Sequence, residues 1–561
     1  MRLGVLALVV SGTAGAFFIG AGVEAQGLTT SPAATVHVQL LGLNDFHGQL
    51  EQAKKLDERP VGGAAVLASY LRDATARFDG ESLIVHAGDW VGASPPSSAL
   101  LQDEPSIDVL NLLANRFCTP QQRMHPRCNV VGTPGNHEFD DGVSELVRLV
   151  RGGQAKRGPF LDRPYRGASF PYVSATVVDR VHGSTLFPPF VVKQMSGVKI
   201  GVIGAVLAST PSMVVAGGVE RVRFLPEADA INRAVRALTQ KGVQAIVVTI
   251  HQGGAQAPYA GPTRPDAAGP TEGIAPIIAE LDDAVDVVIS GHAHSFTNAL
   301  MKNKHGHPIL VTQSWVAGGA FAAIDLTIDR STRDVVAKSA TIFATYNDAG
   351  PGLSPAPDVA DLVRRARERV APLSARVVGT ATALLPQKPN PAGESALGNL
   401  ITDAQRSVTG AQVALMNQGG IRAALPAGTI TWGALFAIQP FANAVVTLQL
   451  SGAELLEVLE QQWREHDAHM LHVSGLSYVW DPARPVGARV VSARVGAQPL
   501  VLTDKYRVAA NSFLAGGGSG FSALTKGTQP ITGMIDLDAL VAYIEARGTI
   551  DPIIEGRIKT P

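Results

Sequence analysis

The sequence predicts an α/β protein with a large layered first domain and a smaller α/β second domain. Three observations point there. At 561 residues the chain exceeds what one hydrophobic core supports, so two domains are expected. Over the first 345 residues, short apolar runs rich in β-branched residues alternate with amphipathic segments. At Tyr346-Asn347-Asp348-Ala349-Gly350-Pro351 that alternation breaks into turn residues, and a new set of strands and helices begins near residue 375.

Strands are expected over 36–43, 82–87, 129–133, 199–205, 243–250, 285–290 and 309–313. Their near-continuous apolar character is that of strands buried on both faces. Between them, 106–114, 143–150 and 229–241 carry apolar residues at helical spacing. A charged helix is expected from 358 to about 370, and its run Arg364-Arg365-Ala366-Arg367-Glu368-Arg369 reads as a solvated face. In the second half, 412–416, 444–450 and 506–510 read as strands and 452–463 as an amphipathic helix. No internal repeat is evident. With 47 basic and 48 acidic residues there is no polybasic surface, which argues against duplex nucleic acid or an anionic membrane as the main partner.

The N-terminus reads as a signal peptide over residues 1–25. Met1-Arg2 is a short positive region, an apolar stretch follows, and Val23-Glu24-Ala25 is a small-x-small cleavage site. The alternative is an uncleaved anchor. Ser11, Gly12 and Thr13 interrupt the apolar run and favour cleavage. No later segment has the roughly 18 apolar residues that a membrane span needs. The mature chain is therefore expected to be exported, periplasmic or secreted, with no membrane span. Two cysteines, Cys118 and Cys128, would then lie in an oxidising compartment, where a disulfide is favoured over two buried thiols.

The polar residues fall where α/β sheets bind ligands. Asp45, Asp89, Asn136, His251 and His292 each follow, or end, an expected strand, and the carboxyl ends of such strands form the ligand rim. Eleven of the fourteen histidines lie in the first 345 residues. Alone, Asp45-Phe46-His47 is weak evidence, and Gly88-Asp89 is weaker, being a common turn. Gly135-Asn136-His137-Glu138 and Gly291-His292-Ala293-His294 are more specific. Together they describe ligands converging from several loops on two metal ions, with one carboxylate between them, the arrangement of a two-metal hydrolase. No Ser or Cys nucleophile motif and no P-loop accompanies them.

Asn44-Asp45-Phe46-His47-Gly48, Gly88-Asp89, Gly135-Asn136-His137-Glu138-Phe139-Asp140, His251 and Gly291-His292-Ala293-His294 resemble the calcineurin-like metallophosphoesterases, in particular the secreted or periplasmic 5'-nucleotidase/UDP-sugar hydrolase family. The resemblance implies a four-layer α/β/β/α catalytic domain over 35–345, a linker and connecting helix over 346–374, and a smaller C-terminal α/β substrate-binding domain over 375–561. It implies two divalent ions of the Mn, Zn, Mg or Co class. One would be held by Asp45, His47, Asp89 and His294, the other by Asp89, Asn136, His251 and His292, with Asp89 bridging. Some close relatives carry Gln at the position of His294. His137, supported by Asp140, is implied as the group beside the reacting phosphoryl, and Glu138 is read as structural. The implied reaction is metal-activated water attack on a nucleotide phosphate, with UDP-sugars as further substrates.

In the second half, Asn417-Gln418-Gly419-Gly420-Ile421-Arg422 could bring backbone and a cation to a phosphate. Phe441 and Phe513 sit beside flexible loops, where aromatics can stack on a base. Family resemblance raises Asn417, Gly420, Arg422, Phe441, Phe513 and Ser519 to candidate substrate contacts. Relatives that bind nucleoside monophosphates tightly can carry an arginine where this chain has Gly393, and an Asp where it has Ser519, so broader or weaker substrate selection is expected. A hinge near 350–375 would let the second domain close over the metals. His466, His469 and His472 read as a solvated connection. Other readings are a 2',3'-cyclic-nucleotide phosphodiesterase/3'-nucleotidase, a sulfur-ester hydrolase on the same scaffold, and a non-catalytic nucleotide-binding protein.

Overall fold

A computed structural model describes residues 34–52, 54–155, 158–256, 260–264, 268–464 and 468–561. The expected signal peptide, 1–25, and His466 lie outside the described residues. Two six-stranded sheets form the centre of the first half. One has the order Gly261–Pro262, Val335–Ala344, Ala320–Asp329, Thr35–Leu43, Glu81–His86, Val130–Gly132. The other runs Phe296–Lys302, Pro308–Ser314, Val287–Ser290, Ala245–His251, Val198–Val206, Phe190–Met195.

Side-chain alternation along these strands creates the layers. Leu40, Leu83 and Val85 of the first sheet pack against Val202, Val247 and Ile289 of the second. Their neighbours Leu41, Leu43 and Ile84 point the other way, onto Leu67 and Leu71 of the helix Ala64–Arg77 and Ile107 and Leu110 of Glu104–Leu113. On the far side, Ile203, Ile246 and Val248 meet Ile231 and Val235 of Glu227–Thr239 and Ile278 of Ile274–Glu280. The result is a helix/sheet/sheet/helix stack. Each fully buried Leu, Ile or Val contributes roughly 1.5–3 kcal/mol. Gly42 lies where the sheets meet, and a Cβ there would come to 3.2 Å from Ile289 Cγ2.

Thr35–Leu43, Glu81–His86 and Val130–Gly132 are mutually parallel, as are Val198–Val206, Ala245–His251, Val287–Ser290 and Pro308–Ser314. Their carboxyl ends carry the loops 44–48, 87–92, 133–140 and 291–294. The antiparallel strands Ala320–Asp329 and Val335–Ala344 extend the first sheet beyond the strands expected from the sequence.

Helix Pro357–Ser374 buries Val359, Leu362, Ala366 and Val370 in the core of the first half. Its opposite face is charged: Arg364 pairs with Asp361 and Glu368, and Arg365 with Asp162. Among the described residues, no sheet mixes strands from before and after this helix. Beyond it, a five-stranded sheet has the order Leu471–Ser474, Val413–Asn417, Lys505–Asn511, Ala444–Ser451, Thr528–Ile535. Val413–Asn417 and Lys505–Asn511 are parallel, and the helix Ala396–Thr409 covers them. No helix of the described residues is long and apolar enough to cross a membrane.

Cys118 and Cys128 form a disulfide. Its loop is held against the strand Phe190–Met195: Gln194 N donates to Pro126 O at 2.9 Å, and the buried Lys193 Nζ reaches His125 O at 3.5 Å. The strand Val130–Gly132 begins two residues after the bridge. Replacing both cysteines by serine is expected to lower unfolding stability by about 2–4 kcal/mol, measured by guanidinium denaturation, while leaving the cleft intact. An unchanged midpoint would show that backbone contacts alone hold the loop.

Candidate metal centre and cleft

The strand-end loops fold back sharply. Asp45, His47, Asp89, His292 and His294 all have positive φ, between 48° and 72°. Non-glycine residues adopt that conformation at a cost on the order of 1–3 kcal/mol each, so the surrounding contacts must enforce it. They do so through backbone hydrogen bonds from Asp45 N to Gly88 O at 3.1 Å, His47 N to Asp89 O at 2.9 Å and Gly48 N to Trp90 O at 3.0 Å. Side chains add to this. Asn44 Nδ2 donates to Asp45 Oδ2 (2.7 Å) and Trp315 O (2.6 Å), and its Oδ1 accepts from Ser314 N (2.7 Å). His292 N donates to Asp45 Oδ2 at 2.9 Å.

The structure brings all seven candidate metal ligands together. Asp45, His47 and His294 form one group of donor atoms, Asp89, His251 and His292 a second, and His47, Asp89 and His137 a third that overlaps both. Asp89 Oδ2 lies 3.1 Å from His251 Nε2 and 3.7 Å from His47 Nε2, between the first two groups. Asn136 Oδ1 lies 3.2 Å from His251 Nε2 and 3.1 Å from His292 Nδ1.

The tautomers test whether cations fit. His251 Nδ1 donates to Ala87 O at 2.7 Å and His47 Nδ1 to Gly92 O at 2.9 Å. Each neutral ring therefore presents its Nε2 lone pair inward. His251 Nε2 then faces the Asp89 and Asn136 oxygens, and His47 Nε2 lies 3.0 Å from His294 Nε2. Acceptors facing acceptors in a buried site are the donor set of a cation, so the residues fit metal ions.

The electrostatics agree. Burial opposes charge on Asp89, yet His251 and His137 hold its pKa well below the usual carboxylate range. Burial also disfavours the charged form of His251, but the charges of Asp89 and Asp45 and the hydrogen bonds to Asp89 and Ala87 outweigh it and push the pKa up to about 9. His292 goes the other way, pulled down to about 4 by burial and by His251.

His137 Nδ1 is 2.7 Å from Asp140 Oδ2, and His137 N donates to Asp89 Oδ1 at 2.9 Å. Burial lowers the His137 pKa, but the Asp140 and Asp89 carboxylates overcome it and raise the value above that of free imidazole. Glu138, read as structural, is buried with its carboxylate among backbone amides.

A cleft of about 540 Å³ opens beside this centre, with Asn136, His137, Asp140 and His292 on one wall. Asn417, Gly420, Arg422, Phe441, Phe513 and Ser519 all line it, from loops that follow the parallel strands Val413–Asn417 and Lys505–Asn511 or the helix Trp432–Ile438. Phe441 stacks on the His137 ring, with centroids 5.7 Å apart and planes at 15°. Arg422 Cζ is 5.9 Å from the Phe441 centroid, and no described carboxylate forms an ion pair with Arg422.

Met213, Val215, Arg464 and Met470 also line the cleft, and nothing in their local sequence singles them out. The backbone explains Gly393: that glycine has φ +104°, which strains any side chain, and a Cβ on it would also displace the Met470 methyl, 2.5 Å away. The expected solvated histidine connection needs correction at His472. It is 1% exposed on the strand Leu471–Ser474, and burial pulls its pKa down to about 4. Alternation along that edge strand turns it inward against helix Ala396–Thr409, where a Cβ on Gly398 would collide with its ring.

Because a metal-bound imidazole is neutral, loading the metal-free chain with Mn²⁺ at neutral pH is expected to release about one proton from His251. The sign follows from the raised value: the stability that protonated His251 lends the metal-free fold is present below pH ~6.5 and lost as pH rises through about 9. Calorimetry in buffers of different ionisation enthalpy measures the release, and a binding enthalpy independent of buffer would contradict it.

Comparison with known proteins places this geometry. Residues 38–296 match the calcineurin-like phosphoesterase family, and residues 377–526 match the 5'-nucleotidase C-terminal domain. The chain is 35% identical over 582 residues to the cell wall protein Lmo0130 of Listeria monocytogenes, covering 96% of this chain and 71% of that protein. It is 32% identical over 544 residues to the endonuclease YhcR of Bacillus subtilis, covering 94% of this chain but spanning only 41% of that relative's length. The crystal structure of a 5'-nucleotidase precursor from Thermus thermophilus superposes with a TM-score of 0.76 at 28% identity, covering 94% of this chain and 99% of that one. With a donor set that fits metal ions, a cleft between the two halves, and matches across both, the chain belongs to the 5'-nucleotidase family of metal-dependent calcineurin-like phosphoesterases.

Proposed function

We propose that the chain is an exported phosphohydrolase that removes phosphate from nucleotides at a two-metal centre, with 5'-nucleotides as the main substrates and UDP-sugars as further ones. The observation that carries this reading is the position of Asp89 Oδ2 between His251 and His47, which joins the two donor groups at the mouth of a cleft lined by His137 and Arg422. In this reading Asp45, His47, Asp89 and His294 hold one ion, and Asp89, Asn136, His251 and His292 the other. Ions bound there would lower the pKa of a water and neutralise phosphoryl oxygens.

The chain's own residues supply the rest. Arg422, with no described carboxylate partner, is available to a phosphate dianion. His137 faces the cleft with its Nδ1 held by Asp140, which favours its protonated form and suits it to stabilising charge that develops on the phosphoryl group. Phe441 lies nearly parallel to the His137 ring in the cleft wall, and Phe513 offers an aromatic surface to the base. The catalytic domain would span 35–345 and the substrate-binding domain 375–561, joined through 346–374. Export is supported by the N-terminal pattern and by the cell-wall description of the Listeria relative.

Phosphate release from 5'-AMP, 3'-AMP, 2',3'-cyclic AMP, UDP-glucose and p-nitrophenyl phosphate, with Mn²⁺ and with chelator, tests the reading; coupled phosphatase is added for the two diesters. Metal-dependent preference for 5'-AMP or UDP-glucose is expected, and Asp89→Asn should reduce it by at least about 10³-fold while the protein stays folded. Turnover surviving in Asp89→Asn would sink the two-metal reading.

Ser519 adopts a left-handed conformation, φ +52°, which Asp tolerates well, and its carbonyl accepts a hydrogen bond from Arg464. Ser519→Asp is therefore expected to lower KM for 5'-AMP by about tenfold, through a charge-assisted hydrogen bond to ribose hydroxyls, with a smaller change for 2'-deoxy-AMP. An equal effect on both, or a higher KM, would count against a ribose role for this loop.

A further inference from the structure

Glu138 is 4% exposed, yet its carboxylate belongs to none of the metal-donor groups among the described residues. Its oxygens accept three backbone hydrogen bonds instead. Oε1 takes the Trp90 amide at 2.9 Å, and Oε2 takes the Asp89 amide at 2.9 Å and the Gly135 amide at 2.5 Å. The opposite edge of the same segment is also fully engaged: the carbonyls of Gly88, Asp89 and Trp90 accept from the amides of Asp45, His47 and Gly48. Residues 88–90 thus turn successive carbonyls toward one neighbouring backbone and the amides of Asp89 and Trp90 toward a single side chain, a non-strand arrangement set by the left-handed φ of Gly88 and Asp89. Three ligand-bearing loops, 45–48, 88–90 and 135–137, meet in these hydrogen bonds.

We propose that Glu138 is a positioning residue that pre-forms the metal centre: its carboxylate fixes the distance between the loop carrying Asp89 and the loop carrying Asn136 and His137 before any ion binds. The loops are already in steric contact. A Cβ on Gly88 would collide with Gly135 N, and one on Gly135 with Asp89 Oδ1. Any opening of the clamp would therefore move Asp89 Oδ1, which accepts the His137 amide at 2.9 Å, and with it the oxygen that lies between His47 and His251. Both carboxylate oxygens act as acceptors. Gln at this position keeps the size but turns one acceptor into an NH₂ donor, which must then face an amide N–H that has no other partner. The role rests on the two-metal reading above, and the experiment separates the two.

The full chain is stripped of metal and titrated with Mn²⁺ by calorimetry, alongside Glu138→Gln checked for wild-type circular dichroism. The variant is expected to bind Mn²⁺ about 10–100-fold more weakly, with kcat at saturating Mn²⁺ reduced and KM for 5'-AMP altered by no more than about twofold. Wild-type affinity in the folded variant would overturn the proposal. Amide hydrogen exchange on the unmodified chain gives a test that does not depend on the variant folding. The amides of Asp89, Trp90 and Gly135 should exchange as slowly without metal as with it, because a side chain and not an ion holds them. Fast exchange in the metal-free chain would also overturn the proposal. A wild-type chain that binds no Mn²⁺ would count against the metal reading alone, leaving the exchange result to decide the clamp.

Discussion

The contact between Asp89 and its two histidines sets the terms for the first half of the chain. A carboxylate with 1% exposure lies 3.1 Å from one imidazole nitrogen and 3.7 Å from another. Burying such a charge is expensive unless an opposite charge sits beside it. The fold meets that requirement from both sheets at once. Asp89 comes from the first sheet and His251 from the second, so the site exists only where the two sheets' carboxyl ends face each other. The packing of Leu40, Val85, Val247 and Ile289 between the sheets is therefore also what holds the ligand groups at their separation.

Much of this is legible in the sequence because strand ends are local signals. A run such as Ile246-Val247-Val248-Thr249-Ile250 announces a buried strand, and the His that ends it falls on the rim by topology alone. The seven candidate ligands and the six cleft residues need only that rule and the motif resemblance. Glu138 and Asn44 are in view within those motifs, but their partners are not. A carboxylate that takes amides from residues 48 and 49 positions away leaves no mark in one-dimensional spacing. Met213, Val215 and Met470 are invisible for a different reason: apolar residues in loops look like satellite core until a second element closes over them. His472 escapes the sequence reading because a short edge strand offers too few residues for alternation to be read.

The second half repeats the first half's solution with different chemistry. Val413–Asn417 and Lys505–Asn511 lie side by side and parallel, and Asn511 Nδ2 donates to Asn417 Oδ1 at 2.9 Å across their ends. The loops that leave this pair hold glycines and aromatics where the first half holds carboxylates and imidazoles. One rim thus presents charge, and the other presents flat apolar surface and the guanidinium of Arg422. The pairing of Phe441 with His137 shows how close the two rims come. The helix Pro357–Ser374 belongs by its packing to the first half, since Val359, Leu362, Ala366 and Val370 are embedded there. Its last residue, Ser374, also meets the second half, where a Cβ on Gly433 would come to 2.8 Å from its carbonyl oxygen.

The space beside Gly393 carries a consequence for how such a cleft can change. Met470 occupies the volume that a side chain at 393 would need, and the backbone there is left-handed as well. A substitution at 393 meets chiefly a φ that only glycine adopts freely, while the Met470 methyl, at the end of a flexible side chain, can swing aside. Shrinking Met470 would remove the lesser obstacle and open a void in the cleft wall. The wall of the cleft at this point is therefore shaped by a backbone conformation, and a side chain at 393 would be felt first as strain in the main chain and only second as a displaced methionine.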